Sequence, residues 1–222
     1  MNLIRRKKQE ERTHLLILGL PRSGTSLLAS LLGAHSKASV ICEDFGRSWM
    51  DVLGKPVVGN KLCVPRQIDL DRRRTIAVKL ANRLGLLKRW PKSTYSINDY
   101  LIIPNLRLIL IERDPVDVRN SIQNRGAVTW TGMDGTIKNR EISTNEIDYT
   151  IDRGTAILDT LKPRENARTL SFKDLINQTD SVLKDLLPFI GLSYEEGLVE
   201  NGTRWNWMYP KVSEKGIDAD KA

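Results

Sequence analysis

What is scarce in this chain narrows its chemistry before any motif is read. Its 222 residues include two cysteines, Cys42 and Cys63, and two histidines, His14 and His35. The cysteines make no metal-ligand spacing, and one pair is not a disulfide framework, so neither a structural metal nor covalent stapling is needed to explain the fold. A single disulfide is compatible with the sequence; a reduced intracellular protein is the simpler reading. Long apolar runs are missing too: Met1 to Thr13 is charged, and Leu15 to Leu20 is far too short to span a bilayer. There is no signal peptide, internal repeat or low-complexity segment, which argues against fibrous and disordered classes.

What is present is an ordinary globular composition, 40% hydrophobic and 28% charged. A single domain of this length buries roughly 70% of the surface its unfolded chain exposes, enough for a core of its own. The reading is a basic N-terminal arm over 1–12, one domain over 13–212 and a flexible tail over 213–222. The formal net charge of +8 favours anionic partners: nucleic acid, a membrane surface or a nucleotide phosphate. Arg5, Arg6, Lys7 and Lys8 read as a solvated arm. The cluster Arg72-Arg73-Arg74, followed by Lys79, Arg83, Lys88 and Arg89, is the better candidate for lining an anionic site.

Hydrophobic patterning predicts alternating strands and helices. Leu15–Leu20 and Arg107–Ile111 are continuous apolar runs of the kind buried on both faces of a parallel sheet. Shorter strands are expected over Ala38–Cys42, Thr75–Lys79 and Ala167–Ser171. Helices are expected over Thr25–Leu32, Ile97–Ile103, from Asp114 onward, over Glu146–Leu161 and over Ser181–Ile190. The stretch Glu43–Leu70, with scattered Gly and Pro, reads as an irregular substrate-side excursion, and Gly126–Ser143 as a loop or lid. Alternation of this kind predicts a three-layer α/β/α domain around a central parallel sheet, with ligands at the carboxyl ends of the strands.

Two strand-to-helix junctions carry the chemistry. The first is Leu18-Gly19-Leu20-Pro21-Arg22-Ser23-Gly24-Thr25-Ser26. A buried strand running through a Gly/Ser/Thr turn into a helix aims free amides at an anion. Gly24 allows close backbone approach, Thr25 and Ser26 add hydroxyls, and Arg22 adds charge. Thr25 stands where a nucleoside-triphosphatase loop requires lysine, so the triphosphate–magnesium reading loses its main support. The second junction is Leu108-Ile109-Leu110-Ile111-Glu112-Arg113-Asp114-Pro115. Asp114 at the cap and Pro115 at the first helical position start a helix. Ser121 lies seven residues after the cap, about two turns on, and returns to its face. Arg113 and Ser121 can then meet one phosphate from two sides.

With these motifs the chain resembles the sulfotransferases that use 3′-phosphoadenosine-5′-phosphosulfate (PAPS), a family with a P-loop-like fold. The resemblance covers about residues 13 to 192. It implies that Arg22, Ser23, Gly24, Thr25 and Ser26 wrap the 5′-phosphosulfate and that Arg113 and Ser121 hold the 3′-phosphate. It implies Glu43 as general base, in the manner of the carbohydrate and tyrosylprotein branch. A positioned carboxylate of this sort contributes about 10²–10⁴-fold. His14 precedes the first strand, at the wrong end of the sheet for that task, and His35 reads as structural. Lys79, at a predicted strand end, matches the family lysine that offsets charge on the sulfonate and the leaving phosphate. Asp44 is the fallback base. No metal is called for, and the product would be 3′,5′-adenosine bisphosphate (PAP).

The expected activity is transfer of a sulfuryl group from PAPS to a hydroxyl or amine acceptor: a small molecule, a carbohydrate or a peptide. Neither nucleic acid nor stable membrane insertion is expected. Without an N-terminal anchor, the resemblance points to a cytoplasmic protein of bacterial kind, or to a shortened chain. Two rivals stand beside it. A P-loop kinase or nucleotide hydrolase predicts magnesium dependence and a loop lysine. A non-catalytic nucleotide or nucleic-acid binding module predicts basic and aromatic residues interleaved on a surface, hinted at by Arg204-Trp205-Asn206-Trp207-Met208-Tyr209.

Overall fold

The structure is a computed structural model and describes residues 12–43, 54–70, 95–125, 127–131 and 137–204. Its elements in chain order are β1 (Thr13–Gly19), α1 (Thr25–Gly33), β2 (Ala38–Cys42), β3 (Val57–Cys63), β4 (Ile68–Asp69) and β5 (Tyr95–Ser96). There follow α2 (Asn98–Leu101), β6 (Leu106–Glu112), α3 (Pro115–Arg125), β7 (Ala127–Thr131) and β8 (Ile137–Glu141). The last are α4 (Thr144–Leu161), β9 (Ala167–Ser171), α5 (Phe172–Asn177), α6 (Thr179–Phe189) and α7 (Leu198–Arg204).

Five strands form one sheet in the order β2-β3-β1-β6-β9, every pairing parallel. The continuous apolar runs explain why β1 and β6 lie inside it. Side chains alternate across a strand, so a strand covered on both faces is apolar along most of its length. Leu15 and Ile17 of β1, with Ile109 and Ile111 of β6, face one core beside Leu28, Leu31 and Leu32 of α1 and Leu183, Leu186 and Leu187 of α6. Leu16, Leu18, Leu108 and Leu110 face the other, against Ile157, Leu158 and Leu161 of α4 and Tyr100 of α2. These are the three layers the alternation predicts. Each fully buried Leu or Ile contributes roughly 1.5–3 kcal/mol of transfer free energy, so β1 and β6 are firmly anchored between the layers.

Local chemistry sets the helix starts. The Asp114 carboxylate accepts the Val116 N–H at 2.7 Å ahead of Pro115, where α3 begins. At α4 the Ser143 hydroxyl accepts the Glu146 N–H while the Glu146 carboxylate accepts the Ser143 N–H, a reciprocal cap that extends the helix two residues ahead of the predicted start.

Three expectations need correcting. Within the presumed excursion Glu43–Leu70, residues Val57–Cys63 form a fully buried inner strand between β2 and β1. The presumed loop Gly126–Ser143 contains β7 and β8, paired antiparallel. The predicted helix at Ile97–Ile103 is shorter, Asn98–Leu101. The strand and helix expected over Thr75–Arg89, with Lys79 and the basic cluster from Arg72, lie outside the described residues, as do Asp44, the N-terminal arm and the tail beyond Arg204.

Candidate active site

Because the five strands run parallel, their carboxyl ends share one rim. Each strand delivers a different residue there. In spatial order across the sheet these are Glu43 after β2, Lys61 near the end of β3, the Pro21–Ser26 turn after β1, Arg113 after β6 and Phe172 after β9.

The turn after β1 is built to leave amides unspent. The Ser23 hydroxyl is buried and donates to the Leu20 carbonyl at 2.7 Å, and the Ser23 N–H donates to the same carbonyl. Ser23 therefore closes the turn and does not present its side chain to a ligand. Gly24 follows at φ 86°, a left-handed conformation that glycine adopts without steric cost. Leu28 is the first helical residue whose N–H reaches the Gly24 carbonyl at 3.0 Å, so the amides of α1's opening turn have no acceptor within the helix. Pointed at the rim, such amides and the helix dipole together favour an anion. Close packing shapes the turn from below: a Cβ on Gly19 would lie 2.4 Å from the Ser23 hydroxyl and 2.7 Å from the Thr25 methyl.

The second junction is locked onto the first. Arg22 Nε donates to the Ser121 hydroxyl at 3.1 Å, and Arg113 Nη1 donates to the Arg22 carbonyl at 2.7 Å. The structure thus brings Arg22, Arg113 and Ser121 together across 99 residues of sequence. Arg113 also lies over the Phe172 ring, 4.4 Å from its centroid, a cation–π contact that helps to fix its position. Its Nε is buried without an acceptor among the described residues. An unpaired buried donor costs about 1–3 kcal/mol, so a donor left in this state beside an anion cradle is suited to an incoming oxyanion.

On the far side of the cradle, Glu43 is gripped by Lys61. The Lys61 ammonium is 2.5 Å from Glu43 Oε1, and the Glu43 N–H donates to the Lys61 carbonyl at 2.8 Å. The lysine side chain is 3% exposed and the glutamate 42%, so the carboxylate keeps a face open to solvent. Glu43 has φ 63° and Arg22 φ 69°, left-handed values uncommon for residues with a Cβ. Burial would pull the Lys61 pKa down, but the nearby Cys63 and Glu43 charges and the Glu43 hydrogen bond outweigh it, so the ammonium is held above its ordinary value. Burial pushes the neighbouring Cys42 thiol up to about 11, so it stays neutral at physiological pH. Both cysteines are free.

His14 is buried at the opposite end of the sheet, its Nδ1 2.9 Å from the Pro104 carbonyl. His35 accepts the Lys37 N–H at Nδ1 and lies 2.9 Å from the Ser193 carbonyl at Nε2, which assigns the ring proton to Nε2. It ties the end of α1 to the segment before α7. Sequence reasoning missed Lys61 and Phe172. A buried lysine in a strand leaves no periodic signal, and a phenylalanine that follows a strand looks like any other core residue.

The sulfotransferase-domain family model matches residues 12–215. The chain belongs to the sulfotransferase family. Solved structures similar to it include the sulfotransferase domain from the curacin biosynthetic pathway, at TM-score 0.52 and 16% identity, covering 86% of this chain and 77% of that one. Mouse sulfotransferase SULT7A1 complexed with PAP is similar at TM-score 0.51 and 10% identity, covering 91% of this chain and 70% of that one. At such identities the likeness is one of fold. No curated protein matches the chain significantly. Among the described residues no helix is long and apolar enough to cross a membrane.

Proposed function

We propose that this sulfotransferase draws its sulfuryl group from PAPS and that Glu43 is the general base. What supports the donor assignment is that two groups suited to anions meet at one rim: the opening amides of α1, and Arg113 with its unspent Nε, linked through Arg22 to Ser121. A nucleotide with phosphates at both its 5′ and 3′ positions fits two such sites; ATP offers only one. The fold shared with a sulfotransferase whose structure holds PAP supports the same reading.

PAPS supplies a sulfuryl group bonded through oxygen to its 5′-phosphate; that S–O bond breaks as the acceptor oxygen bonds the sulfur. The chain's residues have separate tasks. The amides and hydroxyls of Thr25 and Ser26 bind the 5′ end, and the α1 dipole offsets charge on the leaving phosphate. Arg113 and Ser121 orient the nucleotide by its 3′-phosphate, with Arg22 bridging the two sites. Glu43, open to solvent on one face, takes the acceptor proton. Lys79 remains the proposed lysine partner of the sulfonate.

The experiment compares ligands and a variant. PAP is expected to raise the melting temperature, since a ligand that binds only the folded state stabilises it by mass action. ATP with magnesium should do so far less. Glu43→Gln should cut transfer from labelled PAPS about 10²–10⁴-fold while PAP still binds. Stabilisation by ATP–magnesium alone would overturn the donor assignment, and full activity of Glu43→Gln would remove Glu43 as base.

A further inference from the structure

The Lys61–Glu43 contact is two-point: the ammonium meets the carboxylate, and the Lys61 carbonyl receives the Glu43 amide. The register explains the reach. In the parallel pairing of β2 with β3, Cys42 lies opposite Lys61, so Glu43 is the first residue beyond the strand and turns back over its partner's lysine. That turn is made at φ 63°, which a non-glycine residue holds only when its surroundings over-determine it. From these observations we infer that Lys61 is the positioning residue for Glu43, fixing one carboxylate oxygen so that the other faces the acceptor.

The inference rests on Glu43 being the base. Around the pair, Cys42 and Cys63 are the neighbouring titratable groups on β2 and β3. The helix packed over this face, α1, reads Thr-Ser-Leu-Leu-Ala-Ser-Leu-Leu-Gly and contributes no titratable side chain. The lysine is thus the charge that orients the carboxylate among the described residues. A glutamate side chain otherwise samples several rotamers, and a misplacement of about 1 Å at a reacting group can cost on the order of 10²-fold. Lys61 need not touch the donor for this role, which separates its signature from that of a donor-binding lysine.

The test is a double-mutant cycle on kcat with Lys61→Met, Lys61→Gln and Glu43→Gln. Lys61→Met removes a buried charge and leaves a partly exposed carboxylate behind, so it strands no buried ion. If it does not fold, the cycle is run with Lys61→Gln, whose amide still donates one hydrogen bond. PAP binding by calorimetry confirms a native site in each variant. The expected result is a kcat loss of about 10²-fold for Lys61→Met, a smaller one for Lys61→Gln, and donor KM within about threefold of wild type. In the Glu43→Gln background the lysine substitution should then cost nothing more. A further loss of the same factor in that background, or a raised donor KM with unchanged kcat, overturns the positioning role while leaving Glu43 as base. Undiminished activity of Glu43→Gln alone defeats the base assignment itself.

Discussion

Replacing Gly24 with alanine puts the cradle under a load that can be calculated from its surroundings. The backbone there has φ 86°, where a Cβ costs about 1–2 kcal/mol. The added methyl would also lie 2.4 Å from Phe172 Cδ2 and 2.7 Å from Cε2. Phe172 is buried, and its ring lies against the Arg113 guanidinium at 4.4 Å, so it cannot retreat without moving Arg113. Overpacking of this kind costs about 1–3 kcal/mol. Together Gly24→Ala should destabilise the fold by about 2–5 kcal/mol in urea denaturation. The displacement passes through Phe172 to the guanidinium, so PAP affinity should fall in the surviving folded protein. Adding Phe172→Leu should relieve the clash and leave the backbone strain, giving a favourable coupling of about 1–2 kcal/mol in the double mutant. An unfolding free energy within about 0.5 kcal/mol of wild type, with PAP binding intact, would refute the account of how Gly24, Phe172 and Arg113 are stacked.

Arg113→Met should weaken PAP by about 10–100-fold, the worth of a charge-assisted hydrogen bond, and 5′-AMP much less. Calorimetric losses of equal size for both nucleotides would take the 3′-phosphate away from Arg113. Cys42 governs part of the alkaline limb of stability. Its folded pKa is raised from 9.0 to about 11 by burial, so its contribution is whole below about pH 9 and is lost as pH rises through 11. Wild type should lose on the order of 2 kcal/mol more than Cys42→Val across that interval in pH-dependent denaturation. Parallel curves would show that the thiol is not desolvated in the fold.

The two junctions of the candidate site were legible because such junctions are local. A strand, a turn and a helix start are contiguous in sequence, so Pro21–Ser26 and Arg113–Asp114 could be read without knowing the fold. Two of the three inner strands were legible for a similar reason: Leu15–Leu18 of β1 and Leu108–Ile111 of β6 are apolar without a break because both faces are covered there. What resisted reading was β3. Gly59, Asn60 and Lys61 interrupt its apolar pattern and look like loop punctuation. Yet a Cβ at Gly59 would come 3.0 Å from Leu15 Cβ, so the glycine reflects crowding against β1 and not a turn. The hairpin β7–β8 hid behind Gly, Thr and Asn in the same way.

By itself, then, the sequence determined the kind of fold and the two strand-to-helix junctions, since each depends on neighbours in the chain. Only the tertiary structure decided which residues meet. Strand order placed β3 between β2 and β1, and so put Lys61 beneath Glu43. Packing of α3 against the β1 turn joined Arg22 to Ser121, and β9 carried Phe172 under Arg113. Those contacts arise from side chains far apart in sequence and a shared rim of parallel strands, which no local pattern records.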